Sequence, residues 1–145
     1  MPADAPRPTD ELRAVELLSR VSHGRLATSL HAMPVVAPAR HVVSDGFVLL
    51  RVHAGLGFQQ TCGGSVVAYG ADNLNSDADA LWSVQFTGTA EIVTPTADEV
   101  EGFGHSGLRR VNGEPFDPVY LRIKPRFASV HTWDHAEERA ARHAA

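Results

Sequence analysis

Residues 80–93 read ALWSVQFTGTAEIV, and their side chains alternate between apolar and polar. The apolar positions are Trp82, Val84, Phe86, Gly88, Ala90 and Ile92. Because successive side chains of a strand point to opposite faces, this alternation predicts a β-strand with one face in a core. The apolar face narrows from Trp82 to Gly88, which favours a coiled strand in a small barrel, with Trp82 and Phe86 filling one end of the core.

Short apolar segments before this strand predict a run of antiparallel neighbours. The sequences GRLATS (24–29) and MPVVAPARHVV (33–43) are typical of two strands joined by a turn near His31. The pair Asp45-Gly46 then predicts a hairpin turn into a buried strand over 47–52. Because proline cannot donate to a β-ladder, Pro34 and Pro38 predict an edge or a bulge in the second strand.

The remaining segments predict few helices and two more strands. SVVAYG (65–70) indicates a buried strand, and VYLRIKPRFASVHTW (119–133) indicates a closing strand interrupted at Pro125. Together these segments predict a mainly β fold, a closed or partly closed barrel of about six antiparallel strands.

Helix signals occur at the start of the chain and between the strands. Thr9 is predicted to cap an N-terminal helix that runs to Gly24. A helical turn near 58–61, a short helix over 96–103 and a long Gly/Pro loop over 104–118 are also expected. The domain prediction is a flexible tail (1–8), a barrel domain (9–133) and a C-terminal helical tail (134–145) that starts at Asp134.

Composition excludes several classes of function. The 145 residues carry a formal net charge of −4, which disfavours binding to nucleic acid or to an anionic membrane. No stretch has the length of a membrane span, and the N-terminus carries no apolar targeting run, so a cytoplasmic protein is expected. Cys62 is the only cysteine, which excludes an intrachain disulfide and favours a small, partly buried residue over a reactive thiol.

Few side chains form a recognisable catalytic or metal-binding motif. Among eight scattered histidines only His131 and His135 have i, i+4 spacing, and a change from strand to helix falls between them, so no metal site is predicted. The chain contains no G-x-S-x-G, G-x-G-x-x-G or Walker A sequence. Arg51, near the end of a strand and before a Gly-rich loop, is either a solvated arginine or an anion-binding group.

The order of these segments resembles the pyridoxamine 5'-phosphate oxidase-like family of FMN-binding split β-barrels, which includes the nitroimidazole-resistance type. The resemblance covers about residues 10–132, and its most specific parts are WSVQFTGTAEIV and the later LRIKP. It implies a homodimer, because two flavin sites form between two barrels in relatives, and the Trp end of the 80–93 strand lies close to the flavin at that interface. It also implies cofactor-binding residues at seven positions. These are Val36, Pro38, Ala39, Arg51, Val52, Trp82 and Ser83.

This sequence departs from the family pattern at the phosphate-binding loop. Gly57 or Phe58 stands where many relatives have a lysine, and Val52 lacks the hydroxyl of their threonine. The leading hypothesis is an FMN-binding oxidoreductase that acts on an unidentified small molecule. The alternative is a split barrel that has lost FMN and binds a deazaflavin, a haem-like or a hydrophobic ligand, or acts as a non-catalytic dimeric module.

Overall fold

Helices form only short parts of the computed structural model, which describes residues 8–104 and 109–134. In these residues the helices are α1 (Pro8–Leu18), α2 (Phe58–Cys62) and α3 (Ala97–Gly102). The strands are β1 (His23–Leu30), β2 (Met33–Ser44), β3 (Phe47–His53), β4 (Val66–Asp72), β5 (Ala80–Val93), β6 (Arg110–Val111), β7 (Glu114–Pro115), β8 (Pro118–Ile123) and β9 (Arg126–Asp134). The predicted mainly β class is confirmed.

Six of these strands close into an antiparallel barrel. β1 lies between β4 and β2, β3 lies between β2 and β8, and β5 pairs with both β8 and β4, which completes the ring. β9 is an additional strand that pairs with the first part of β5, whereas β8 pairs with its last residues, from Ala90 to Val93. The interruption predicted at Pro125 therefore separates two strands that both pair with β5.

The alternation in β5 places one face of the strand in the barrel core. Trp82, Val84, Phe86 and Ala90 are buried, and complete burial of a side chain such as Phe86 contributes roughly 1.5–3 kcal/mol. Ile92 was predicted to continue this face, but 55% of it is exposed. The core face of β5 therefore ends at Ala90.

Gly88 is explained by a close approach between two strands. A Cβ atom at this position would lie 2.4 Å from the carbonyl oxygen of Lys124 and 2.7 Å from a methyl carbon of Ile123. The chain between β8 and β9 thus passes directly over β5, where only glycine leaves enough space.

The prolines of β2 lie in the half of the strand that pairs, within the described residues, with a strand on one side. β1 pairs with β2 from Met33 to Arg40, whereas β3 pairs with β2 only from Arg40 to Ser44. The predicted edge is therefore confirmed for the half that contains Pro34 and Pro38. No second strand of residues 8–104 and 109–134 pairs with this half, so its backbone groups are suited to pair with a ligand or another chain.

Three local predictions need correction. Helix α1 begins at Pro8 and not after a Thr9 cap, and proline is favoured at the first helical position because its missing N–H needs no partner there. The helix ends at Leu18, and Gly24 lies in β1, where a Cβ atom would be 2.3 Å from the carbonyl oxygen of Gly70. The expected loop over 104–118 contains the β6–β7 hairpin.

The two predicted tails fall almost wholly outside the described residues. Of the N-terminal tail only Pro8 is described, as the first residue of α1. Of the C-terminal helical tail only Asp134 is described, as the last residue of β9.

Candidate functional site

A cavity of about 180 Å³ lies on the outer side of β1, β2 and β3, next to the β6–β7 hairpin. Its wall combines basic side chains with apolar ones. The lining residues are His23, Pro38, Ala39, Arg40, Arg51, Val52, His53, Leu56, Val111 and Phe116. We refer to it as the Arg51 cavity.

Strand register brings three basic residues into one row along this cavity. His23 of β1 is paired with Arg40 of β2, and Arg40 is in turn paired with Arg51 of β3. Arg40 and Arg51 place two like charges on directly opposed residues, and such charges repel each other. An anion bound beside them would reduce that repulsion.

The guanidinium of Arg51 is surrounded by aromatic rings rather than by the Gly-rich loop that follows β3. Its central carbon lies 5.3 Å from the ring centroid of Phe103, 5.7 Å from that of Phe116 and 5.8 Å from that of Tyr120. Cation–π contacts of this kind contribute roughly 0.5–2 kcal/mol each. Its Nε atom is buried and has no hydrogen-bond partner among the described residues. A buried N–H without a partner is costly, so an anionic acceptor at this point would be favourable.

His53 connects the β6–β7 hairpin to the floor of the cavity. The backbone N–H of Asp117 donates to Nδ1 of His53 at 3.0 Å, so a neutral ring carries its proton on Nε2. The ring also stacks on Phe116 with 5.6 Å between centroids, and the N–H of Ala54 donates to the carbonyl of Asp117 at 2.7 Å. These contacts fix Phe116 over the cavity.

A buried polar cluster supports the opposite wall. Nε2 of His41 donates to the carbonyl of Leu18 at 2.8 Å, and Nδ1 then accepts from the hydroxyl of Tyr69 at 2.5 Å. That hydroxyl is also 3.3 Å from the carbonyl of Ala39, a cavity residue. Burial lowers the pKa of His41 and raises the pKa of Tyr69, so both groups are neutral and hold β2 against β4.

Neither metal binding nor membrane spanning is indicated by the described part of the chain. Residues 8–104 and 109–134 contain no group of three or more His, Cys, Asp or Glu side chains placed to hold a metal ion. Within the same residues, no helix has both the length and the apolar character needed to cross a bilayer. His135, one half of the only i, i+4 histidine pair, lies outside them. Cys62 is fully buried, which goes beyond the partial burial predicted, and burial raises the pKa of its thiol.

A comparison with protein families shows the family of this chain. A family model described as pyridoxamine 5'-phosphate oxidase matches residues 10–132. The chain belongs to this family. The resemblance inferred from WSVQFTGTAEIV and LRIKP is thereby confirmed.

One curated relative is similar over part of its length. The uncharacterized protein Rv0080 of Mycobacterium tuberculosis is 36% identical over 90 residues, which is 59% of this chain and 59% of that protein. The matched region thus spans about three fifths of the length of this curated relative.

Solved structures share the fold at low sequence identity. An FAD binding protein from Mycobacterium smegmatis has a TM-score of 0.63 and 23% identity over 90% of this chain and 98% of its own. An FAD-binding protein from Mesorhizobium loti has a TM-score of 0.59 and 16% identity over 85% and 94% of the two chains. An FAD and heme binding protein from Mycobacterium smegmatis has a TM-score of 0.61 and 16% identity over 90% and 77%.

Four of the seven residues assigned from the family pattern meet at one place in this family member. Pro38, Ala39, Arg51 and Val52 all line the Arg51 cavity. Val36 lies two residues away on β2, is 60% exposed and does not line it.

Trp82 and Ser83 lie elsewhere, at the start of β5. Trp82 is buried in the core, and its backbone N–H donates to the side-chain oxygen of Asn73 at 2.7 Å. Ser83 is paired with Asp72 on β4 and with His131 on β9. Neither residue lines the Arg51 cavity of its own chain.

The loop that carries a lysine in many family members is uncharged here. It runs from a 3₁₀ turn (Ala54–Leu56) into α2, and Gly57 between them has a left-handed φ of 77°. Phe58 packs against the core. Apart from the two neighbouring residues, no described residue has a heavy atom within 4 Å of the position that a Cβ atom would take at Gly57. Gly57 is therefore the loop position with room for a longer side chain.

Sequence reasoning did not find the hairpin that carries Val111 and Phe116 to the cavity. Its turn consists of Asn112 and Gly113, with φ values of 52° and 81°. Asn-Gly is the strongest short hairpin signal, and it was present in the sequence within the segment interpreted as a loop. The row formed by His23, Arg40 and Arg51 depends on strand register, which the pattern of residues along one strand does not determine.

Proposed function

We propose that this protein binds a flavin nucleotide in the Arg51 cavity, FMN in the first instance, and acts as an oxidoreductase on a small molecule. The observation that carries the proposal is the buried Nε of Arg51, which has no hydrogen-bond partner within residues 8–104 and 109–134 and lies in a basic row next to an apolar wall. A phosphate would accept hydrogen bonds from the guanidinium, and Pro38, Ala39 and Phe116 would contact a planar ring. The solved relatives described as FAD-binding support a flavin in general.

The basic row provides a second cation beside Arg51 in a chain whose loop lacks the lysine. Arg40 and His23 lie beside Arg51, on two further strands, and both line the cavity. Rigid strands position these groups more firmly than a loop would.

When bound, a flavin would supply the electron or hydride transfer itself. The residues of this chain would then bind the phosphate through Arg51, orient the ring against Pro38 and Ala39, and exclude water with Phe116. His53 would hold Phe116 in place through ring stacking. None of these roles requires a side chain that acts as general acid or base.

We further propose that two copies of the chain complete the site. At about 180 Å³ the cavity is smaller than the 300–1,000 Å³ typical of ligand pockets. The open half of β2 next to it exposes Met33 and Val36, and apolar surface of this kind is suited to an interface. Trp82 and Ser83 would then contribute to the site of the other copy.

Flavin binding is tested by absorption spectroscopy and titration of the purified protein. We expect about one equivalent of FMN per chain after desalting. Arg51→Gln should weaken FMN binding roughly 10- to 100-fold, as expected for one charge-assisted hydrogen bond of about 1.5–3 kcal/mol. Riboflavin, which lacks the phosphate, should bind Arg51→Gln and the wild type equally. Arg13→Gln, an exposed arginine of α1, is the control for loss of charge alone.

A second test adds a cation to the uncharged loop instead of removing one. Gly57→Lys would add a cation where space is open, and we expect tighter FMN binding than in Gly57→Ala, which has the same backbone strain and no charge. Equal affinities of these two variants would show that the loop does not face the phosphate.

The second candidate is a barrel that binds a ligand other than FMN. The observation that favours it is the absence of any cation between Ala54 and Cys62, where Phe58 instead packs into the core. A colourless protein that retains neither FMN nor FAD would favour this candidate and exclude the first.

A further inference from the structure

A second, larger cavity lies on the outer face of β5 where β4, β8 and β9 meet it. Its volume is about 430 Å³. The lining residues are Phe47, Val66, Thr87, Gly88, Thr89, Glu91, Arg122, Lys124, Arg126 and Phe127. None of them lines the Arg51 cavity, so the two sites are separate. We refer to this second cavity as the Phe127 groove.

Phe127 is held at the groove by a β-bulge. Gln85 is paired with Ser129 and Thr87 with Arg126, so two residues of β9 lie opposite the single residue Phe86. The first of the two, Phe127, has a left-handed φ of 48°. Glycine is the residue favoured at such a position, because any Cβ atom adds strain there.

The fold gives no packing reason for an aromatic residue at this point. Phe127 is 69% exposed, whereas the next residue, Ala128, is completely buried. Glycine at 127 would form the bulge with less strain and without an exposed ring. Backbone strain maintained at a surface is typical of ligand-binding positions, since bulges there re-aim side chains.

The groove has more positive side chains than negative ones to pair with them. Arg122 is 3.3 Å from Glu91 and lies over the ring of Phe47, with 4.9 Å to its centroid. Lys124 and Arg126 have no ion-pair partner within residues 8–104 and 109–134. The groove is thus positive in a chain whose formal net charge is −4.

From these features we infer that the Phe127 groove binds a small aromatic anion, such as an aryl phosphate or aryl carboxylate. The ring would pack on Phe127, and the acidic group would lie between Lys124 and Arg126. The hydroxyls of Thr87 and Thr89, on the same wall, are suited to hydrogen-bond that group. A volume of about 430 Å³ fits a ligand of one or two rings. This inference does not depend on flavin binding.

Equilibrium dialysis with 1-naphthyl phosphate tests the proposal on the full-length protein. Lys124→Gln and Arg126→Gln should each weaken binding about two- to fivefold, the effect of one exposed charge-assisted contact. Phe127→Gly should weaken it about tenfold through loss of ring packing, while its thermal midpoint stays equal to or above that of the wild type. Phe127→Leu, which keeps the strain but not the ring, should bind as weakly as Phe127→Gly.

The control variants distinguish binding in the Phe127 groove from binding in the Arg51 cavity. Arg13→Gln should bind 1-naphthyl phosphate as the wild type does, and inorganic phosphate should compete poorly. Loss of binding in Arg51→Gln alone would place the probe in the Arg51 cavity and overturn the proposal. Equal binding of inorganic phosphate, or a midpoint several degrees lower in Phe127→Gly, would also overturn it. A changed oligomeric state in Phe127→Gly would show instead that the groove is an interface between copies.

Discussion

Replacement of Gly88 by alanine should be strongly destabilising, because the new methyl group would meet backbone and not a flexible side chain. The Cβ atom would lie 2.4 Å from the carbonyl oxygen of Lys124, roughly 1 Å inside ordinary contact. To relieve this overlap, the end of β8 must move away from β5. Overpacking of this kind costs about 1–3 kcal/mol, and loss of one adjacent ladder hydrogen bond costs about 1 kcal/mol more. We therefore expect a loss of about 3 kcal/mol.

Thermal unfolding followed by circular dichroism measures this effect. For a chain of this length the entropy of unfolding is about 0.3 kcal/mol/K, so the midpoint should fall by about 10 °C. Gly70→Ala is the matched control, because a Cβ atom there would lie 3.4 Å from its nearest neighbour, in ordinary contact. That variant should be neutral or stabilised by up to about 1 kcal/mol. If the two variants melt within 2 °C of each other, the close approach does not explain Gly88.

Two further predictions follow from buried titratable groups. Burial lowers the pKa of His41 from 6.5, so below about pH 6.5 the unfolded chain takes up a proton that the folded chain does not. The free energy of unfolding should therefore fall as the pH drops below about 6.5. Urea unfolding at pH 7.5 and 5.5 measures this loss of stability. The loss should be smaller in His41→Gln than in the wild type, and an equal loss would show that other groups cause it. Burial raises the pKa of Cys62, so its thiol should react with a disulfide reagent far more slowly in the native protein than in urea, and equal rates would contradict its burial.

Local periodicity was sufficient to predict most of the barrel. The alternation from Trp82 to Ala90, the Asp45-Gly46 turn and the two prolines of β2 are all short-range signals, and the structure confirms each of them. Ile92 was misjudged because the core ends before the strand does, and a sequence pattern does not show where a barrel closes.

The candidate site was less predictable because its parts meet through tertiary structure. Phe103, Phe116 and Tyr120 come from three segments far from Arg51 in sequence, and they surround it only after β3 pairs with β8. The left-handed backbone of Phe127 depends on the bulge against β5, which no residue type at that position indicates. The contacts of these residues are therefore set by strand register and not by their neighbours in the sequence.

The pairing of β3 with β8 also has a consequence for the order of folding during synthesis. Val48 of β3 pairs with Ile123 of β8, whereas the β1–β2 and β2–β3 pairs are each joined by a two-residue turn. The first three strands can therefore associate while the ribosome is still adding residues, but the ring cannot close until Ile123 has emerged. In that interval β3 presents an unpaired apolar edge, which makes the nascent chain prone to aggregation. The rate of ring closure, rather than the stability of the finished barrel, should then limit the yield of folded protein.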